Sequence, residues 1–141
     1  MATETLVPDG DGTCQWDSTG AAHYTEIDEG VSGFDNSDYV DTATFDETEE
    51  YAFKPSPSNL RMATGFIVST AQKITHYAET AVLKIEYSID DGASYTTAGY
   101  ITPTAYDTEE SQIMDAVTGL RFGQKSVGKF RIRVTFLEVE P

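Results

Sequence analysis

The most conspicuous candidate for site chemistry lies near the start of the chain. The stretch VPDGDGTCQWDST (7–19) sets Asp9 and Asp11 two apart, each followed by glycine, with Cys14 and Asp17 behind them. Acidic residues alternating with glycine are the raw material of a calcium loop, because Ca²⁺ is held by carboxylate and carbonyl oxygens. An EF-hand loop starting at Asp9 needs Asp or Asn at its fifth position, Gly at its sixth and Glu at its twelfth; the chain has Thr13, Cys14 and Gly20 there. The pattern fails. The expected structure is a tight turn, with glycines at positive φ and the aspartates accepting from nearby amides. A weak calcium site built from Asp9, Asp11, Asp17 and backbone carbonyls stays open as the alternative.

Other site chemistry is thin. Cys14 and His23 are the residue types of a nucleophile and its base, but no oxyanion or orienting motif accompanies them. The two histidines, His23 and His76, lack metal-ligand spacing. No P-loop and no G-x-G-x-x-G occurs. Paired carboxylates such as Glu49–Glu50 and Asp90–Asp91 are guaranteed by 24 acidic residues, so they do not argue for glycoside hydrolysis. No catalytic residue, metal or cofactor is expected, and the chain does not read as an enzyme. Trp16, Tyr24 and Tyr39 could form a sugar platform, although such aromatics more often close the end of a sandwich core.

SIDDGASY (88–95) fits S-x-D-x-G-x-[ST]-[aromatic] and resembles the Asp-box of sialidases and related propellers. In those families the motif is a structural hairpin turn. The resemblance implies that Asp90 accepts hydrogen bonds from turn amides while Tyr95 packs beneath. It occurs once, in a chain too short for a propeller, and carries no glycosidase activity with it.

The elements that must position these residues read as strands. VLKIEYSI (82–89) puts Leu83, Ile85, Tyr87 and Ile89 on one face and Lys84, Glu86 and Ser88 on the other. FRIRVTF (130–136) repeats the alternation, with Phe130, Ile132, Val134 and Phe136 inside. Leu137 and Val139 then break parity, which predicts a bulge or a strand end buried on both faces. MATGFIVST (62–70), DYVDTATF (38–45), EYAFK (50–54) and SYTTAGYIT (94–102) add further strand candidates, and DGDG, GFDNSD, KPSPSN, DDGA and SVGK punctuate them. One helical window remains, DTEESQIMDAVTGL (107–120), capped by Asp107 or Thr108 and ended by Gly119. The prediction is a single all-β domain over 1–141, an antiparallel β-sandwich with at most one short helix.

Charge is divided unevenly. The net charge is −15, and residues 1–53 hold 14 acids and no Lys or Arg. Residues 54–141 hold 10 acids and 9 bases, five of the bases between Arg121 and Arg133. A solvated acidic surface accounts for this simply. The alternative is docking of the acidic part on a basic neighbour, such as the Arg121–Arg133 region of another copy. Non-specific nucleic-acid binding is disfavoured because it needs net basic surface. No apolar run is long enough to span a bilayer, and MATETLVPDG lacks the marks of a secretory signal. A lone Cys14 fits synthesis in a reducing cytoplasm.

Two segments carry a family resemblance. The order PDGDG…W…STGAAHYTEIDEG…DNSDYV (8–40) and the ending DAVTGLRFGQKSVGKFRIRVTFLEVE (115–140) resemble small β-sandwich virion proteins of tailed bacteriophages. In the second, an L-x-x-G stretch precedes a last R-V-T-x-x-x-V-E strand. The resemblance implies a jelly-roll-like sandwich located in the virion, with no catalytic residues to carry over. It implies a structural role, foremost capsid decoration through contacts with the major capsid protein, other virion proteins and copies of itself. The expected state in the particle is a homo-oligomer, made in the host cytoplasm. A tail or baseplate role and a carbohydrate-binding module are the alternatives. Residues 1–13 are expected to form an extended arm, and Leu6, Val7, Arg121, Lys125, Arg131 and Arg133 are the candidate partner-binding residues.

Overall fold

The computed structural model describes residues 8, 10–18, 20, 22–24, 39–44, 46–53, 62–73, 81–102, 110–123 and 130–138. Among them the strands are β1 (Gly10–Cys14), β2 (Asp17–Ser18), β3 (Val40–Asp41), β4 (Thr48–Ala52), β5 (Met62–Phe66), β6 (Ser69–Gln72), β7 (Ala81–Ser88), β8 (Thr96–Ile101), β9 (Glu110–Ile113), β10 (Val117–Gly123) and β11 (Arg131–Glu138). All their pairings are antiparallel. The largest sheet has five strands in the order β1-β4-β11-β7-β8. The protein is an all-β sandwich of antiparallel strands.

The second layer is a bent ribbon. β5 pairs with β10 and β6 pairs with β9, so 62–72 and 110–123 run together through one bend. The Met114 amide donates to the Val68 carbonyl at 2.9 Å and holds the bend closed. Phe66, Val68, Met114 and Leu120 point from this ribbon onto the five-stranded sheet. There they meet Ile85, Ile101, Phe130 and Ile132, with Leu83, Tyr87 and Val134 around them. The Phe66 ring stands edge-on to Tyr87 at 5.1 Å and to Phe130 at 5.0 Å. Ile85 is wholly buried, and a side chain of that size contributes roughly 1.5–3 kcal/mol when removed from water. A Cβ at Gly99 would meet only Met114 Cε, at 2.8 Å, and that side-chain end would have to shift.

The faces of 83–87 and 130–136 are as their alternation predicts, but Ile89, expected inside, is 38% exposed because β7 ends at Ser88. Leu83, Ile85, Tyr87, Ile132, Val134 and Phe136 are buried or packed on the core. The parity break at Leu137 makes no bulge, since β11 stays in register with β7 through Glu138. Leu137 is half-buried on the outer face instead.

The helical window is corrected. Residues 110–113 are β9 and 117–123 are β10, while 107–109 lie outside the described residues. Among the described residues there is no α-helix. Gly119, read as a helix end, has φ +77° and sits in a register shift of β10 between Thr118 and Phe122. A left-handed glycine serves a helix terminus and a β-bulge equally well, so its presence does not tell them apart.

The DGDG turn is also corrected. Gly10–Cys14 is a strand on the sheet edge, and positive φ among the described glycines occurs at Gly92 and Gly119. A Cβ at Gly12 would collide with the Glu50 side chain, which lies over that position. The glycine is needed for clearance, not for a turn. Residues 10–13 of the expected arm therefore belong to the chain's own sheet; 1–7 and Asp9 lie outside the described residues.

Candidate functional site

The inner face of the sandwich turns polar at one edge. β4 is paired so that Tyr51 lies beside Ile132 and Glu49 beside Val134. On its other side Asp11 is opposite Tyr51 and Cys14 opposite Glu49. Alternation then places Glu49 and Tyr51 on the same face as the core, and β1 brings Asp11 and Cys14 alongside. Glu49 is 0% exposed and Tyr51 4% exposed.

A buried carboxylate is costly unless it is paired or well hydrogen-bonded. Glu49 has three hydrogen-bond partners. The Trp16 amide donates to Oε1 at 2.9 Å, and the Tyr51 hydroxyl donates to Oε2 at 2.7 Å. His23 Nδ1 lies 2.8 Å from Oε2. His23 is held in place by Asp11, whose carboxylate accepts from the amides of His23 at 3.0 Å and Tyr24 at 2.7 Å. The Cys14 thiol faces the Glu50 carbonyl at 3.5 Å. One ligand atom each from Cys14, His23 and Glu49 lie within 4.8 Å of one another.

The electrostatics decide what this cluster does unaided. Burial, and then the negative charge of Glu49, push the Cys14 thiol up to about 12. A nucleophilic cysteine needs positive surroundings that depress its pKa, so this thiol is the opposite of an activated one. Burial and the Glu49 carboxylate also push the Tyr51 phenol upward, which keeps it a donor. The cluster is a hydrogen-bonded knot that ties the segment around His23 to the sheet edge.

The outer face carries Arg131 and Arg133 in internal pairs. Arg131 Nη1 reaches Glu50 Oε1 at 2.6 Å and Arg131 Nε reaches Asp91 Oδ1 at 3.0 Å. Arg133 forks onto Glu86 at 3.1 and 3.0 Å, and its guanidinium lies 3.8 Å from the Tyr95 ring centroid. Burial works against the Arg131 charge, but its bonds to Glu50 and Asp91 outweigh that and raise its pKa. Of the sequence-derived partner residues, Arg131 and Arg133 are thus engaged within the chain. Arg121 lies in β10, and Leu6, Val7 and Lys125 are outside the described residues.

The Asp-box turn forms as its motif implies. The Ser94 amide donates to Asp90 Oδ1 at 2.9 Å, the Ser88 hydroxyl donates to the same oxygen at 2.6 Å, and the Gly92 amide donates to Ser88 Oγ at 2.9 Å. Asp91 and Gly92 both take positive φ, at 60° and 87°, which is the type I′ signature of a tight hairpin. Tyr95 packs beside it, under Arg133.

The three aromatics of the sugar platform are placed differently from one another. Trp16 and Tyr24 are half-buried and Tyr39 is 48% exposed. The Trp16 indole donates to the Glu47 carbonyl at 2.9 Å. The open calcium alternative gains no support: Asp9 is outside the described residues, and Asp11 faces amides. Asp17 lies in β2 opposite Asp41, whose pKa burial and the Asp17 charge raise.

Sequence reasoning dismissed Glu49 as one of many paired acids. A signal was present, because residues 49, 51 and 53 share one face of a strand whose other members are Tyr and Phe. Compared with known proteins, the chain matches no family model, no curated protein and no solved structure.

Proposed function

We propose that this protein is a structural virion protein of a tailed phage, foremost a capsid decoration protein that works through contacts with the shell and with its own copies. The observation that carries a contact role is the pair of isoleucines at the bend of the ribbon. Ile67 is 60% exposed and Ile113 is 74% exposed, while their chain neighbours Val68 and Met114 are turned into the core. Two large aliphatic side chains exposed at one bend gain free energy when a partner covers them. The virion assignment itself rests on the resemblance of 8–40 and 115–140.

Two further observations favour a non-catalytic role. The Cys14 thiol is held protonated beside Glu49. The Trp16 indole N–H, the polar handle that a sugar-binding tryptophan offers its ligand, is bonded to Glu47. The test is mass spectrometry and antibody-labelled electron microscopy of purified particles of the source phage. Regular labelling over the head supports decoration, and labelling of the tail supports the tail alternative. Absence of the chain from purified particles, with retention of the recombinant protein on a glycan matrix, gives the carbohydrate-binding reading instead.

A further inference from the structure

We propose that Cys14 Sγ, a ring nitrogen of His23 and a carboxylate oxygen of Glu49 form a binding site for a zinc-class divalent metal ion. The three residues come from β1, from the segment after β2 and from β4, and their ligand atoms already converge within 4.8 Å. This site is independent of the virion reading, and either can fail without the other.

The donor set selects the ion. Thiolate, imidazole and carboxylate together suit Zn²⁺ or Co²⁺, whereas Ca²⁺ and Mg²⁺ require shells of oxygen. Tetrahedral zinc with bonds of about 2.0–2.3 Å sets its ligand atoms roughly 3.3–3.6 Å apart. His23 Nδ1 and Glu49 Oε2 stand 2.8 Å apart. Seating a cation between them needs an opening of about half an ångström, within the reach of two side-chain torsions. Three protein ligands leave a fourth position for water. The His23 side chain is 20% exposed, which gives the ion an entry path.

The groups around the ligands are those that orient a metal site. Ligand carboxylates are themselves hydrogen-bonded, and these outer contacts fix geometry and tune affinity. Glu49 has the Trp16 amide on one oxygen and the Tyr51 hydroxyl on the other. Asp11 fixes the backbone that carries His23. Binding breaks the S–H bond of Cys14 and forms a metal–thiolate bond, and the proton leaves to solvent. The thiolate and the carboxylate together balance the dication, so a wholly buried Glu49 gains a full counter-charge. Affinity rises with pH because a proton is released.

The test uses the full chain, stripped of metal with a chelator. Titration with zinc alone is expected to give one saturable site per chain by calorimetry. Cobalt is expected to give the thiolate-to-metal absorption that oxygen and nitrogen ligands cannot. Cys14→Ser should weaken zinc binding by at least about 100-fold, and Tyr51→Phe, which removes only an outer contact, by about 10-fold. In the unaltered chain, zinc should protect Cys14 from alkylation, a readout that needs no variant to fold. Absence of saturable zinc binding, binding undiminished in Cys14→Ser, or equal alkylation rates with and without zinc would each overturn the proposal.

Discussion

Asp90 shows how one side chain's charge state is tied to folding. The hydroxyls of Ser88 and Ser94, then the Ser94 amide, favour its carboxylate and lower its pKa from 3.8 to about 2. A depressed acid stabilises the fold above its unfolded pKa and loses that contribution as pH falls toward the folded value. The acid limb of the stability curve between about pH 4 and pH 2 should therefore flatten in Asp90→Asn, as read by urea melts across that range. Cys14 works with the opposite sign at the alkaline end. Its pKa is raised from 9.0 to about 12, so its contribution is complete below pH 9 and is lost as pH climbs between those values. In metal-free protein at pH 8, iodoacetamide should modify Cys14 at least about tenfold more slowly than it modifies a free thiol. Rates equal to a free thiol would mean that the thiol is neither buried nor shadowed by Glu49.

At the scale of elements, the decisive features are strand faces and the positions where strands deviate. Ile132 faces the core near the start of β11, between β4 and β7. Truncation to alanine removes a packed side chain and leaves a cavity, so Ile132→Ala should cost about 2–5 kcal/mol in denaturant unfolding. Gly119 tests the bulge in β10. A Cβ there meets nothing within 4 Å, so only the backbone conformation at φ +77° resists substitution. Gly119→Ala should destabilise by about 1–2 kcal/mol, and Gly119→Asn by less, because asparagine tolerates the left-handed region. Equal stability of all three would mean that the bulge does not need its glycine.

Over the whole molecule, the division of charge is bridged at one described point by Arg131, and a second arginine is paired beside it. Glu50 from the acidic first part meets Arg131, and Glu86 meets Arg133. Arg131 and Arg133, two of the five bases that sequence alone offers to a neighbouring copy, are thus engaged at home, and the proposed contact is the apolar bend. Ile113→Asp tests this. The side chain is exposed, so the stability of the isolated protein should change by no more than about 0.5 kcal/mol. Incorporation into particles, measured by co-sedimentation at physiological salt, should fall sharply. Undiminished co-sedimentation would show that the bend is not the contact.

The sequence by itself determined the fold class, because a period of two in 82–89 and 130–136 assigns each side chain to a face before any partner is known. It determined the 88–95 hairpin for the same local reason, since Ser88, Asp90 and Ser94 bond only within the turn. Where one residue type serves two structures, local pattern failed: Gly119 suits a helix end or a bulge, and Gly10 and Gly12 suit a turn or an edge strand. Tertiary structure settled these through contacts at long range, such as Glu50 lying over Gly12. The Cys14–His23–Glu49 cluster was beyond local reading altogether. Its members lie 9 and 26 positions apart, and only the pairing of β1 with β4 and the grip of Asp11 on the His23 backbone bring them together. Alternation could place Glu49 on the inner face, but only the register of neighbouring strands decided what it would meet there.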